Sequence, residues 1–262
     1  MTYNNLTRTL AAGTLILGAV FSLTACGHDR PRGEQSELQR LQSSCPSGKK
    51  LNTYVAWDGT TSNSSPETDA ERLRIVADVA RRTAVCGGHF TVAVFSASSG
   101  STVTIYDGEL DIPGATDIAR LRRVPEAVDA VQAEVKASYG PAIAALPTGG
   151  TDINGIYRLA GEQQAQLGDE YQTVFTILTD GMNNLGGVVL DGGALSPEQA
   201  SDLAEQVPVP QLPGAKVTVA GLGRVTGGTA PSELVAGLVA YYDRLCARTG
   251  AASCLSVTDW RG

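Results

Sequence analysis

Lysine is scarce in this 262-residue chain, with only Lys49, Lys50, Lys136 and Lys216. The formal net charge is −7 and there is no basic stripe. Nucleic acid is thereby excluded as a partner, since neutralising phosphates needs clustered cations. Histidine is scarcer still, with His28 and His89 alone. His89 falls at the start of an expected strand, away from the strand ends where the other candidate residues lie. The G-x-S-x-G elbow is also missing, so a Ser-His-Asp hydrolase lacks its parts. No G-x-x-x-x-G-K-[ST] segment exists to cradle phosphates. Gly221-Leu-Gly223 follows a strand, but the third glycine of a dinucleotide loop is misplaced, and the pair reads as a turn. No C-x-x-C pair supports a zinc site. The longest apolar run is shorter than the roughly 20 residues that a membrane span needs. What is present is a globular balance, with 42% hydrophobic and 18% charged residues. An acidic chain of this kind can collect cations.

That apolar run is Leu10 to Leu23, uncharged and preceded by Arg8. Its length and position are those of a signal-peptide core. It ends in Leu23-Thr24-Ala25-Cys26, which resembles the lipobox of bacterial lipoproteins. The resemblance implies that residues 1–25 are a signal peptide and that Cys26 carries the lipid. Acyl chains on Cys26, at about 0.8 kcal/mol per buried methylene, would hold the protein on the extracytoplasmic face of the cell membrane. Residues 26–46 are polar and charge-mixed and read as a tether. His28 lies there and receives no role. Residues 47–262 are left for the fold. The roughly 210 residues between the ends fit one large domain or two small ones, and one domain accounts for all the elements read below.

Cys45, Cys86, Cys246 and Cys254 remain, an even number in an exported chain, which suggests two disulfides. Three pairings are possible. Cys246 and Cys254 are close enough in sequence to close a helix-to-strand turn, which would leave Cys45 for Cys86.

The pattern alternates strands and helices. Strands are expected at 51–57, 90–95, 101–106, 171–178, 216–220 and 254–258. Helices are expected at 67–84, 125–138, 152–166, 197–206 and 232–248. Only residues 96–100 separate the second and third strands, so that pair must be an antiparallel hairpin. The rest argues for an α/β fold with a mainly parallel sheet covered on both faces.

Three segments fall at strand or helix ends: Asp58-Gly-Thr60-Thr-Ser62, Thr148-Gly-Gly-Thr151-Asp-Ile-Asn154, and Thr179-Asp180-Gly181. Ligands of open α/β sheets bind at the carboxyl ends of strands. Two carboxylates and three hydroxyls are hard oxygen donors, suited to Mg²⁺ and less specifically to Mn²⁺ or Ca²⁺. In this respect the chain resembles the von Willebrand factor A (vWA) domain and its metal-ion-dependent adhesion site, over about residues 51–258. Asp58, Thr60 and Ser62 match the family's D-x-S-x-S element, with threonine in place of the first serine. Thr151 matches its threonine and Asp180 its aspartate. The resemblance implies a vWA-like, six-stranded sheet with one antiparallel edge strand. It also implies a divalent ion presented to an Asp or Glu of a protein partner, and no enzyme activity. The chain ends soon after Thr258, leaving no room for the final helix that slides in switchable members, so a piston-type switch is not expected.

Blander readings exist for each part. Asp58-Gly59 and Asp180-Gly181 are turn formers, and Thr151 could be a helix cap. Trp57 reads as core packing. Two other functions use the same residues: a structural or assembly lipoprotein with a stabilising metal, and, ranked last, a metal-dependent envelope hydrolase.

Overall fold

The computed structural model describes residues 32–61, 64–190 and 193–260. The signal-peptide segment, Cys26, His28 and Ser62 lie outside the described residues. Among the described residues no helix is long and apolar enough to cross a membrane.

Six strands form one sheet: β1 (Lys50–Asp58), β2 (Gly88–Phe95), β3 (Val103–Glu109), β4 (Tyr171–Leu178), β5 (Lys216–Ala220) and β8 (Ser253–Val257), in the order β3-β2-β1-β4-β5-β8. All neighbours are parallel except β2 and β3. This is the expected α/β architecture, a mainly parallel six-stranded sheet with its antiparallel strand at one edge. A short hairpin of β6 (Arg224–Val225) and β7 (Gly228–Thr229), not anticipated from the sequence, makes a second sheet.

β1 is central and almost wholly buried because both its faces carry apolar side chains. On one face, Tyr54, Phe175, Ile177, Val217 and Val219 pack against α5 (Ile153–Leu167), α6 (Pro197–Glu205) and α7 (Ser232–Arg248). On the other, Val55, Trp57, Val92 and Val94 pack against α2 (Pro66–Cys86) and α4 (Val124–Ala145), with the short α3 (Asp117–Leu121) before it. Trp57 is a core residue, its ring 4.5 Å from that of Tyr139.

Local chemistry sets the helix starts. Ser65 caps α2, accepting from Thr68 N, with Pro66 at the first position. Ser196 and Gln199 form a capping box at α6. α5 begins one residue later than expected, and its cap is Asp152, whose carboxylate accepts from Gly155 N at 3.0 Å. Thr151 is therefore not the cap of that helix. α4 continues past the expected 138 to Ala145, carrying Pro141 just before its last turn.

Part of the stretch read as a tether is ordered. Residues 32–43 form helix α1 (Arg32–Ser43), and Leu38 is buried, 3% exposed. Leu38 and Leu41 lie three apart on one helical face and join the core on the α2 side. The composition is polar because the helix buries only this narrow stripe. Cys45–Cys86 ties the end of α1 to the end of α2, and Cys246–Cys254 ties α7 to β8.

Candidate metal centre

The register of the sheet assembles the centre. Trp57 of β1 pairs with Leu178 of β4, so the next residues, Asp58 and Thr179, emerge side by side at the carboxyl end of the sheet. Asp58 is fully buried and Asp180 is 1% exposed. Asp58 is held rigidly. Its Oδ1 accepts from Thr60 N at 3.0 Å and Thr60 Oγ1 at 2.8 Å, and its Oδ2 accepts from Thr179 Oγ1 at 2.6 Å. Asp180 Oδ1 accepts from Met182 N at 2.8 Å.

Arg72 of α2 lies beneath these groups. Its guanidinium is buried and donates to the Asp58 carbonyl at 3.0 Å. Burial pulls Arg72 below the usual arginine range, while Asp58, Tyr139, Asp180 and Asp69 oppose that shift. On the α7 side, Tyr242 donates to the Gly181 carbonyl at 2.9 Å. Burial raises the Tyr242 phenol well above its ordinary value, with Asp180 and Asp58 contributing after its tyrosine neighbours. Asp58 and Asp180 thus act on the same buried groups from the ends of adjacent strands.

Thr151 arrives from the opposite side. Its backbone N–H donates to Asn184 Oδ1 at 2.7 Å, and its carbonyl accepts from the N–H groups of Asn184 and Leu185. Asn183 is fully buried and works beside it. Its Oδ1 accepts from Ile153 N at 2.9 Å, and its Nδ2 donates to the Leu185 and Val188 carbonyls. The loop after β4 thereby fixes the start of α5. Thr151 and Thr60 line one cleft of about 320 Å³ together with Asn184. The structure thus brings Asp58, Thr60, Thr151 and Asp180 to one end of the sheet.

Sequence reasoning missed Arg72, Thr179, Asn183 and Asn184. The only signal was for Thr179, which sits inside the quoted Thr-Asp-Gly element. His89 stands at the far end of β2, contacting Asp107 at 2.9 Å and Glu109 at 3.2 Å, away from the centre.

The residues fit a hard divalent cation. Two buried carboxylates face one buried guanidinium, which leaves formal negative charge for a cation to offset. Among the described residues no group of three or more His, Cys, Asp or Glu side chains is gathered to hold a metal. The donors described at this centre are carboxylate and hydroxyl oxygens, and among the described residues neither thiolate nor imidazole joins them. That set suits magnesium-like ions better than soft ones.

No protein-family model matches the sequence, and no curated protein aligns with it. Among solved structures there are distant matches. Proximal thread matrix protein 1 from the mussel byssus is 16% identical, with a TM-score of 0.37 over 79% of this chain and 43% of that one. A second structure of it, described as having a zinc-occupied MIDAS motif, is 15% identical, with a TM-score of 0.39 over 81% and 45%. The pilus adhesin SpaC from Lactobacillus rhamnosus GG is 11% identical, with a TM-score of 0.43 over 80% and 28%. The chain spans less than half the length of these proteins.

Proposed function

We propose that this protein is a membrane-anchored, metal-dependent protein-binding module of the cell envelope, and not an enzyme. The observation that carries the reading is the placement of Asp58 and Asp180, both buried, at the ends of adjacent central strands, with Thr60 and Thr151 lining an open cleft there.

Asp58, Thr60, Ser62, Thr151 and Asp180 would hold the ion, with Mg²⁺ preferred over Mn²⁺ or Ca²⁺. When bound, it supplies an electron-poor centre able to accept one more oxygen from a partner's Asp or Glu. The chain's own residues do the preparation. Thr179 and Thr60 fix both oxygens of Asp58. Asn184 holds Thr151 in place through the backbone. Arg72 offsets part of the buried negative charge. The described groups at the centre are carboxylate and hydroxyl oxygens held by hydrogen bonds, which suits holding an ion and presenting it to a partner. The lipid on Cys26 would place the module on the outer face of the membrane.

Calorimetric titration of Mg²⁺ and Mn²⁺ into the full chain in detergent tests the metal reading, with Asp58→Ala as control. Saturable binding that disappears in the variant is expected. Absence of binding, or equal binding by both proteins, overturns the reading.

A further inference from the structure

Beside the candidate metal centre the cleft is apolar on one wall and uncharged throughout. Ile143, Leu146 and Pro147, from the end of α4 and the loop after it, form that wall; among the described residues no Asp, Glu, Lys, Arg or His lines the cleft. Gly59 brings the apolar wall to the centre. A Cβ there would lie 2.4 Å from Ile143 Cδ1 and 2.9 Å from Leu146 Cδ1, so a larger residue at 59 would push the tips of these two side chains away from the residue next to Asp58. The wall is fixed as well as close. Ser96 Oγ donates to the Pro147 carbonyl at 2.7 Å, and Gly59 N donates to the Phe95 carbonyl at 2.9 Å. At the mouth, Gly149 has φ +101 and open space where a side chain would stand. The volume, about 320 Å³, is at the small end of ligand pockets.

We propose that this cleft selects the partner's sequence: it takes an aliphatic side chain flanking the carboxylate that the ion binds. The recognised element is then an exposed acidic residue with Leu, Ile, Val or Met next to it or one residue removed. A cation attracts any carboxylate, so the ion alone gives little discrimination. An uncharged apolar wall adjoining it rewards an aliphatic neighbour and disfavours a charged one, whose desolvation nothing in the lining would offset. This inference rests on the metal reading above, and its test separates the two.

A phage-displayed library of disulfide-closed heptapeptides is selected on the full chain in detergent with Mn²⁺, and again with EDTA. In the Mn²⁺ arm, enrichment of Asp or Glu flanked by an aliphatic residue is expected, by about tenfold or more over acidic peptides without one. Ile143→Ser and Pro147→Ser should lower that aliphatic preference while acidic residues remain enriched; Pro147→Ser retains the carbonyl that Ser96 uses. Metal titration of the same variants identifies any whose centre has collapsed. Acidic enrichment with no aliphatic preference, or a preference unchanged in both variants, overturns the selectivity and leaves the metal reading standing. Metal binding without any EDTA-sensitive enrichment overturns the peptide-binding role itself. Failure of the chain to bind metal overturns both.

Discussion

Thr179 Oγ1 donates to Asp58 Oδ2 at 2.6 Å, joining the end of β4 to the end of β1 inside the core. The same oxygen accepts from Gly181 N at 3.1 Å, so one hydroxyl sets both the carboxylate and the turn that carries Asp180. Thr179→Val keeps the shape and deletes the hydroxyl. A buried carboxylate oxygen losing its donor costs about 1–3 kcal/mol, which in a domain this size lowers the melting temperature by several degrees. Groups that orient ligands typically govern metal affinity by roughly 10–100-fold, so Mg²⁺ binding should weaken on that scale. Thr179→Ser should restore both. Melting curves and titration calorimetry check this; a valine variant equal to the native protein in both measurements would show that Thr179 does not organise the centre.

Arg72 gives a second test, of charge balance. It is buried and donates to the Asp58 carbonyl, and losing the donor of a buried acceptor costs about 1–3 kcal/mol. Arg72→Met should therefore melt well below the native protein in EDTA. Saturating Mg²⁺ supplies positive charge at the same end of the sheet and stabilises only the folded state. The melting temperature of the methionine variant should thus rise more on adding Mg²⁺ than that of the native protein. Equal increments would separate Arg72 from the ion's electrostatics.

The sheet was legible because its strands are short runs rich in β-branched and aromatic residues: Tyr171–Leu178 and Lys216–Ala220 have the extents read from sequence. Asp58 and Asp180 were legible as strand-end residues because Asp58 closes β1 and Asp180 lies two residues past β4. What escaped depends on neighbours distant in sequence. Asn183 binds the backbone at Ile153, 30 positions away, and Arg72 is defined by the Asp58 carbonyl it reaches after folding. Helix α1 escaped for another reason. Two leucines in a charged stretch give too narrow a stripe for periodicity to register, and a disulfide closing on α2 helps to hold it.

The two disulfides should differ in their contribution. Cys45–Cys86 spans 41 positions and Cys246–Cys254 spans 8. Chain-entropy arithmetic assigns about 4 kcal/mol to the longer loop and about 2.6 kcal/mol to the shorter. Chemical denaturation of the two double Cys→Ser variants should show the larger loss for Cys45/Cys86. That variant should also release α1, read as faster amide exchange at Leu38 and Leu41 with little change in β1. The reverse order of stabilities, or unchanged exchange in α1, would contradict this.

Membrane attachment is expected to depend on one atom, Cys26 Sγ. Leu23-Thr24-Ala25-Cys26 offers a single thiol at the end of the apolar run, whereas the other four cysteines are consumed in disulfides. In bacterial cells fed a radiolabelled fatty acid, the native chain should carry the label and sediment with membranes. Cys26→Ser should lose the label, because a serine hydroxyl cannot replace the thiol as lipid acceptor. Its folded domain should keep both disulfides and an unchanged melting temperature. If the serine variant still carries the label, the lipid lies elsewhere. If the native chain is unlabelled and released, the N-terminal segment acts as an ordinary secretory signal, and the candidate metal centre belongs to a free extracytoplasmic protein.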